Sequence, residues 1–190
     1  MRIIDILVSL FGLVALSPIF LFLHIYYVFR EGGHFIFRQE RVGRMGKPFN
    51  IFKIRTMSIN GNTSTVSLRN DIRVTPIGRF LRKWKIDELP QLYNILKGDM
   101  SFVGPRPTVA LDYSRMSHKQ QSRTLVRPGL TGLAQISGNT SLSWPQRLRY
   151  DLIYVKNKSI YLDAYIILKT GQYLIAGKLE THPNDKGEWI

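Results

Sequence analysis

A chain of 190 residues is long enough for one domain with a hydrophobic core and too short for two of ordinary size. Its 27 Lys and Arg against 13 Asp and Glu give a formal net charge of +14, so its expected partners are anionic: phosphates, acidic lipids or nucleic acid. The chain has no cysteine, which excludes a disulfide scaffold, a thiolate nucleophile and a cysteine-based zinc cluster.

A long apolar segment follows the first few residues. Residues 6–29 contain no Lys, Arg, Asp or Glu and are dominated by Leu, Val, Ile and Phe, which is enough to cross a bilayer as one helix. A cleaved secretory signal fits poorly, because the stretch is too long and Pro18 follows Ser17 where cleavage would be expected. This segment is therefore predicted to enter a membrane.

Ser17 and Pro18 stand at the middle of the apolar segment and predict a sharp bend. Proline removes one backbone donor and clashes with the preceding turn, and the Ser17 hydroxyl can bond the carbonyl left free. Each arm is then about 18 Å of helix, about half of what a hydrocarbon core of about 30 Å requires. Basic residues flank both ends: Arg2, Arg30, Arg38, Arg41, Arg44 and Lys47. They favour two cytoplasmic ends, yet from the residues alone a re-entrant helix and a kinked spanning helix both remain open.

The remaining residues predict a small lobe that begins with two strands. A β-hairpin is predicted from residues 35–38 and 49–57, with a turn around Gly43 and Gly46. Residues 58–75 are polar and lack periodicity, so they predict a loop. No chemistry is assigned to the interior of that loop.

Four helices are predicted after the loop. They start at Thr75, near Pro90, at Trp144 and at Ser159, and the last three end at Gly98, Val155 and Gly177. The first is basic and amphipathic, so it lies either on an anionic membrane surface or against the core with a solvated basic face. The last is strongly apolar and either packs on the core or reaches lipid headgroups. Stiff turns are predicted at residues 104–107 and 127–129.

Asp87 and Glu88 form the only adjacent acidic pair in the sequence. They precede a predicted helix, whose dipole and free amide groups favour ionised carboxylates and bound phosphates, and they closely follow Arg82, Lys83 and Lys85. Metal-assisted phosphoryl transfer needs oxygen ligands for Mg²⁺, cations for a diphosphate and sometimes a carboxylate nucleophile. Ordinary acidic residues at a helix start are the alternative interpretation.

Two arginines beside prolines are candidate phosphate ligands. Arg106 lies between Pro105 and Pro107, so its backbone has little freedom to lose and its guanidinium can be held ready for bidentate contact. Arg127, before Pro128, admits the same interpretation, and a structural turn arginine is the alternative for both. The sequence has no histidine spacing typical of a metal site, no GxGxxG or Walker motif and no grouped aromatic residues, which weakens nucleotide-triphosphate and nucleic-acid interpretations.

Six motifs in one order give the chain a family resemblance. They are Ser17-Pro18, FRQERVG at 37–43, FKIRTM at 52–57, IDELPQ at 86–91, GDMSFVGPRP at 98–107 and RPGLTG at 127–132. Together they resemble the bacterial sugar transferase family of monotopic phosphoglycosyl transferases, which initiate the synthesis of capsule, exopolysaccharide, O-antigen and lipopolysaccharide. The chain lacks the extra N-terminal membrane helices of larger relatives and resembles the minimal catalytic form.

The resemblance implies an α+β fold in three parts. Residues 1–31 would form a re-entrant membrane helix-break-helix hairpin, and residues 32–178 a compact, mostly helical catalytic lobe with a small β-hairpin and amphipathic interfacial helices. Residues 179–190 would form a tail. A monotopic protein of the bacterial inner membrane is implied, with its lobe on the cytoplasmic face and in contact with anionic lipids.

The resemblance also implies a two-step reaction with named residues. Asp87 would attack the diphosphate of a UDP-sugar, giving UMP and a phosphosugar-enzyme intermediate, and undecaprenyl phosphate would then accept the phosphosugar. Glu88 would assist proton removal or positioning, and Mg²⁺ would bridge Asp87 and the diphosphate. Lys53, Arg106 and Asp151 match positions that the family associates with the site.

Two departures from the family pattern stand out. Asn139 follows Gly138 where many relatives have arginine, and residues 182–190 match no family segment. The sequence assigns no particular sugar, glycan pathway or oligomeric state, although an oligomer is compatible with it. Rival functions are an anionic-lipid-binding module without catalysis, a direct-transfer membrane glycosyltransferase and a nucleic-acid binder; the resemblance favours none of them, and no nucleic-acid partner is expected.

Overall fold

The computed structural model describes residues 2–58 and 73–176, so the predicted loop lies almost wholly, and the tail entirely, outside the described residues. The α-helices in these ranges are α1 (Arg2–Ala15), α2 (Ser17–Arg30), α3 (Pro76–Lys83), α4 (Gln91–Lys97), α5 (Ala110–Ser114), α6 (His118–Gln121), α7 (Leu133–Ile136), α8 (Trp144–Asn157) and α9 (Ile160–Ile175). The strands are β1 (Ile36–Val42), β2 (Pro48–Ile54), β3 (Ser101–Val103) and β4 (Gly129–Thr131). The protein is therefore α+β and mostly helical, as predicted.

The predicted β-hairpin is confirmed by β1 and β2. The two strands are antiparallel, with Ile36 opposite Ile54 and Val42 opposite Pro48. Ile51 and Ile54 on β2 are both buried, but they lie three positions apart, so they point to opposite faces of the hairpin and pack in two different core clusters. Strand β2 of this hairpin carries Lys53.

A second, parallel strand pair was not predicted. Strands β3 and β4 are three residues each, with Ser101 opposite Gly129, and Gly104 N–H donates to the carbonyl of Thr131 at 2.9 Å. A Cβ on Gly129 would collide with the backbone nitrogen of Gly104, and one on Gly104 with the carbonyl oxygen of Arg127. Glycine at both positions therefore permits the backbone contact that anchors the Pro105–Pro107 segment.

The predicted break in the apolar segment is confirmed. Pro18 has no N–H to bond the carbonyl of Val14, and the Ser17 hydroxyl donates to that carbonyl instead at 2.7 Å. Helices α1 and α2 are bent by 53° at the break, so the two arms form an open angle and do not fold back on each other as a closed hairpin. Among the described helices, each is by itself too short or too polar to cross a bilayer, and only this bent pair qualifies by length and composition.

Both arms of the bent pair pack on the lobe. Leu13 of α1 and Leu16, between the two arms, contact the core formed by Leu92, Ile95 and Met100. The outward faces of the two arms expose large apolar side chains: Ile3, Ile4, Leu7, Val8, Leu10, Phe11, Val14, Ile19, Leu21, Phe22, Ile25, Val28 and Phe29. A contiguous apolar surface of this size is typical of contact with lipid or protein.

The two outer ends of the bent pair are also tied to the lobe. The Arg2 guanidinium, in the first turn of α1, donates to the carbonyl of Leu96 at 2.7 Å. Near the end of α2, the Tyr27 hydroxyl donates to the carbonyl of Arg55, and Leu23 and Tyr27 pack with Leu81 of α3. The ends of both arms therefore meet the same body of the protein.

Asn94 fixes α4 against the hairpin. Its fully buried side chain accepts from Phe52 N–H at 3.1 Å and donates to the carbonyl of Asn50 at 2.7 Å. Helix α4 ends as predicted at Gly98, which has the left-handed φ of 103° that glycine permits. Because α4 follows Asp87 and Glu88 directly, this contact brings the acidic pair to β2.

The other predicted helices are also confirmed, with ends within two residues. Thr75 caps α3 by accepting from Gly78 N–H at 3.1 Å. Helix α3 buries Leu81 against the core while Phe80 remains exposed, so the core-facing interpretation of this helix is confirmed for one of its faces. Helices α8 and α9 pack together through Tyr154 and Ile166.

Candidate active site

Asp87 and Glu88 lie in a tight turn between α3 and α4. A single 3₁₀ turn covers Ile86–Glu88, and both acidic residues are only 8% exposed. Lys85, just before the turn, has a left-handed backbone with φ 55°. A non-glycine residue in this region is uncommon and often marks a functional segment, because the conformation costs free energy.

Glu88 is held by two cations from different parts of the chain. Its Oε1 accepts from Arg106 Nη2 at 2.7 Å and from Lys53 Nζ at 3.1 Å, and its Oε2 accepts from Arg106 Nη1 at 3.3 Å. The pair with Arg106 is the bidentate geometry in which guanidinium–carboxylate contacts are strongest. The structure thus brings together four sequence-predicted residues: Asp87, Glu88, Lys53 and Arg106.

The pKa values of the two carboxylates are shifted in opposite directions. Burial favours the neutral form of Glu88, but the charges of Arg106 and Lys53 outweigh it and hold the pKa of Glu88 well below its ordinary value. Burial, followed by the negative charge of Glu88, raises the pKa of Asp87. Burial also lowers the pKa of Lys53, which Glu88 opposes. Neighbouring carboxylates whose pKa values are pushed apart are typical of acid, base and nucleophile roles.

Asp87 has an oxygen free for a ligand. Its Oδ1 is buried and has no hydrogen-bond partner in the described part of the protein, which is costly unless a ligand supplies one. No cluster of three or more possible metal-binding side chains occurs among the described residues. This still fits Mg²⁺, because that ion often binds through one or two carboxylates and completes its shell with substrate phosphates and water.

The Arg106 backbone is fixed on both sides. Arg123 Nη2 donates to the Arg106 carbonyl at 2.6 Å, and Arg41 Nη1 donates to the Pro107 carbonyl at 3.4 Å. The carbonyl of Thr108, the residue after Pro107, accepts from Val42 N–H at 2.8 Å, which ties the segment to the hairpin. The Arg106 side chain is 47% exposed, so a fixed backbone carries a guanidinium that still reaches solvent.

Asp151 contacts Arg123. Its Oδ2 lies 2.9 Å from Arg123 Nε and 2.7 Å from Nη2, and both side chains are 4% exposed. Burial raises the pKa of Asp151 and the charge of Arg123 opposes that shift. Asp151 therefore reaches Arg106 indirectly, through Arg123, and its direct contact with a substrate phosphate stays a prediction.

Arg127 contacts a different part of the protein from Arg106 and Asp151. Its Nε donates to the carbonyl of Gly98 at 3.0 Å, at the C-terminal end of α4, where a cation also complements the helix dipole. This is the contact of a structural arginine. The predicted contact of Arg127 with phosphate stays a prediction.

A cavity of about 160 Å³ has Arg106, the bidentate partner of Glu88, as one of its walls. Its lining also includes the basic residues Arg41, Arg123 and Arg147, the acidic residues Asp112 and Asp151, and the side chains of Gln135 and Trp144. Asn139, which departs from the family pattern, also lines the cavity and has a left-handed φ of 49°, which asparagine tolerates better than most residues. The cavity is therefore more basic than acidic and partly aromatic, and Arg106 connects it to Glu88.

Sequence reasoning missed Arg123, Arg41 and Gln135. Arg123 is one of 27 basic residues, and its ion pair with a residue 28 positions away has no local signal. Arg41 lies within a family motif, which was the one available indication of its importance. Gln135 stands in a short apolar stretch that carries no local signal of a functional role.

The comparisons with known proteins agree on one family. The family model described as bacterial sugar transferase matches residues 1–177. The chain is 38% identical over 191 residues to the undecaprenyl-phosphate galactose phosphotransferase of Salmonella typhimurium, covering 92% of this chain and 40% of that protein. It is 42% identical over 185 residues to the UDP-glucose:undecaprenyl-phosphate glucose-1-phosphate transferase of Klebsiella pneumoniae, covering 89% and 38%.

Shorter relatives are covered more fully. An uncharacterized sugar transferase, EpsL, of Bacillus subtilis is 42% identical over 170 residues, covering 89% of this chain and 84% of that protein. The chain thus spans about two fifths of the length of the Salmonella and Klebsiella proteins and most of the Bacillus one.

Proposed function

The chain belongs to the bacterial sugar transferase family, and on that premise we propose that it transfers a sugar 1-phosphate from a UDP-sugar to undecaprenyl phosphate. The products are undecaprenyl-diphosphate-sugar and UMP, the first step of a surface polysaccharide or glycoconjugate. The observation that carries the proposal is the buried Asp87, with one unpaired oxygen, beside a Glu88 clasped by Lys53 and Arg106. The Salmonella and Klebsiella relatives, named as undecaprenyl-phosphate sugar phosphotransferases, support the same substrate classes.

The reaction takes two steps at one carboxylate. Asp87 attacks the phosphorus next to the sugar, its oxygen forms the new bond, and the bond to the bridging oxygen breaks so that UMP leaves. An oxygen of undecaprenyl phosphate then attacks the same phosphorus and releases the Asp87 carboxylate. Neither attack requires a proton to be removed if Asp87 and the lipid phosphate are ionised.

Cations and the second carboxylate have supporting roles. Lys53 and Arg106 neutralise charge that develops on the transferred phosphate, where exclusion of water strengthens their effect. Glu88 acts as a positioning residue, because its ionised carboxylate holds both cations in place. Mg²⁺ bound at Asp87 would supply further positive charge for the diphosphate.

The bent pair of helices supports a membrane location for this chemistry. We assign α1 and α2 to a re-entrant element, since each arm is about 21 Å long and their outer faces are apolar. Both outer ends contact the lobe, which would lie on the cytoplasmic face of the bacterial inner membrane. Contact with anionic lipids and oligomer formation remain predictions.

The test is product analysis with purified protein in detergent, Mg²⁺, undecaprenyl phosphate and a panel of UDP-sugars. Lipid-dependent release of UMP from one sugar is expected, and Asp87→Asn should abolish it. Glu40→Gln, which removes an exposed carboxylate on β1 instead, is the matched control and should retain activity.

Two outcomes would decide against the proposal. Release of UDP in place of UMP would indicate direct glycosyl transfer, and the absence of any nucleotide product would favour a lipid-binding module. The covalent step has its own measurement: without lipid acceptor, intact-protein mass spectrometry should find one sugar phosphate added to the wild type and none to Asp87→Asn.

A further inference from the structure

Gln135 presents an unusual buried carboxamide. The residue is 7% exposed and lines the cavity beside Arg106, and neither Oε1 nor Nε2 has a hydrogen-bond partner among the described residues. A buried amide without partners is costly, so such groups are rare unless a ligand or water completes their hydrogen bonds. One donor and one acceptor of the same planar group thus lack partners at the wall of the cavity.

The cavity itself favours a flat, polar ring attached to an anion. Its volume of about 160 Å³ is close to the roughly 150 Å³ that holds one benzene ring in an apolar cavity. Trp144 contributes an aromatic wall, and Arg41 and Arg147 contribute positive charge. Asp151 Oδ1 is a second buried oxygen without a partner at the same cavity.

Arg106 joins this cavity to the acidic pair. Its guanidinium is bonded to Glu88, next to Asp87, and the same residue forms a wall of the cavity. A nucleotide whose diphosphate lies at Asp87 therefore has its leaving half adjacent to the cavity. The leaving half consists of one phosphate, a ribose and a base.

We propose that this cavity binds the uracil of the nucleotide donor and that Gln135 recognises the base. The inference rests on the proposed function for the presence of a uridine nucleotide. Uracil carries an N3–H donor beside a carbonyl acceptor, so Gln135 Oε1 accepts from N3–H while Nε2 donates to the neighbouring carbonyl. The sugar of the donor has hydroxyl groups that an amide can also bond, but it lacks a planar ring to fill a cavity with an aromatic wall.

The experiment measures binding without catalysis, by calorimetry in detergent. UMP is compared with ribose 5-phosphate, which has the same sugar and phosphate but no base. The wild type is expected to prefer UMP, and Gln135→Met, which has similar length and no polar atoms, should reduce that preference about tenfold or more, because two hydrogen bonds are lost. Gln91→Met is the matched control, since it also removes a buried carboxamide but Gln91 is not among the residues lining this cavity.

An altered ligand tests the same hydrogen bond in the wild-type protein, so the result does not depend on whether the mutant folds. N3-methyl-UMP lacks the N3–H donor, so the wild type should bind it about tenfold more weakly than UMP, and Gln135→Met should discriminate between the two much less. A wild type that does not prefer UMP over ribose 5-phosphate, including one that binds neither, would overturn the inference. So would an unchanged preference in Gln135→Met.

Two further results separate this inference from its rivals. If Gln135→Met leaves the UMP preference intact but changes the ranking of UDP-sugars in turnover, the cavity binds the sugar and the uracil assignment is wrong. If no UDP-sugar yields UMP in turnover while the binding results are as expected, the proposed function fails and the nucleotide site stands.

Discussion

Arg123 donates from its buried guanidinium to the backbone carbonyl of Arg106 at 2.6 Å. Because the same guanidinium is paired with Asp151, a fully enclosed ion pair supports a half-exposed arginine at the site. Asp151 thus holds Arg123, Arg123 holds the Arg106 backbone, and Arg106 binds Glu88. Changes far from the acidic pair should therefore be felt there.

Removing Asp151 is expected to destabilise the protein strongly. In Asp151→Leu, Arg123 stays buried with no carboxylate, and the free energy of unfolding should fall by about 3–5 kcal/mol. The double variant Asp151→Leu/Arg123→Met should lose less than the sum of the two single losses, because no buried charge remains. Urea unfolding in detergent, followed by tryptophan fluorescence, measures all three; strictly additive losses would contradict the pairing.

Glu88→Gln should lower stability in a pH-dependent way. The pKa of Glu88 is held well below its ordinary value of 4.5, so its ionised form stabilises the fold above that pH, and the contribution is lost as pH falls through the folded-state pKa. A loss of about 2–3 kcal/mol is expected at pH 7, below that of a fully buried pair because Arg106 is half exposed. Thermal unfolding of wild type and variant should converge in acid, and a gap that is constant with pH would exclude this explanation.

The acid limb of activity should respond to Lys85. The positive charge of Lys85 opposes the rise in the pKa of Asp87 that burial and Glu88 produce. Lys85→Asn removes that charge with a residue that tolerates the left-handed backbone, so the pKa of Asp87 should rise and the pH at which UMP release is half-maximal should move upward. Lys83→Gln is the control and should leave the acid limb in place; an unshifted limb in Lys85→Asn would count against Asp87 as the ionised nucleophile.

Gly129→Ala and Gly171→Ala make a matched pair. An added Cβ at Gly129 meets the backbone of Gly104, so the β3–β4 contact must open, and a loss of about 1–3 kcal/mol in unfolding free energy is expected. At Gly171, inside α9, an added Cβ meets nothing within 4 Å, and alanine should be neutral or stabilise by up to about 1 kcal/mol. Equal effects in chemical unfolding would mean that the close approach is unimportant.

The bend at Ser17-Pro18 can be tested in cells, since the chain has no cysteine of its own. A single cysteine at Ile3, which is 74% exposed, should resist an impermeant maleimide added outside spheroplasts. Adding Ser17→Ala and Pro18→Ala should straighten the helix, because the ordinary backbone bond to Val14 is restored, and should expose that cysteine to the reagent. A cysteine at Lys97 reports leakage and should stay unlabelled; labelling of Ile3→Cys without the other changes would argue for a spanning helix.

Local signals made much of the fold predictable from the sequence. The cap at Thr75, the end of α4 at Gly98 and the break at Pro18 each depend on residues within one or two turns of the chain. Long-range contacts had no such signal. Strands β3 and β4 are three residues each and pair across 28 positions, so neither alternation nor a hairpin turn marks them.

The candidate site was predictable in its centre but not in its supports. Asp87 and Glu88 stood out as adjacent carboxylates, and Arg106 by its prolines. Arg127 has a similar neighbourhood in sequence, yet its contact is with the carbonyl of Gly98 while Arg106 contacts Glu88. The local sequence patterns of the two arginines are alike, so their different contacts become visible only in the tertiary structure, where Arg106 follows β3 and Arg127 precedes β4.

Arg2 and Tyr27 fasten the two outer ends of the bent helix pair to carbonyls of the lobe, at Leu96 and Arg55. If the two arms insert in a bilayer as proposed, their depth would also fix the height of Asp87 relative to the lipid, because the lobe holds both outer ends. The phosphate of an acceptor lipid would then have to reach that fixed height. The thickness of the bilayer would thereby decide which acceptor lipids can meet Asp87.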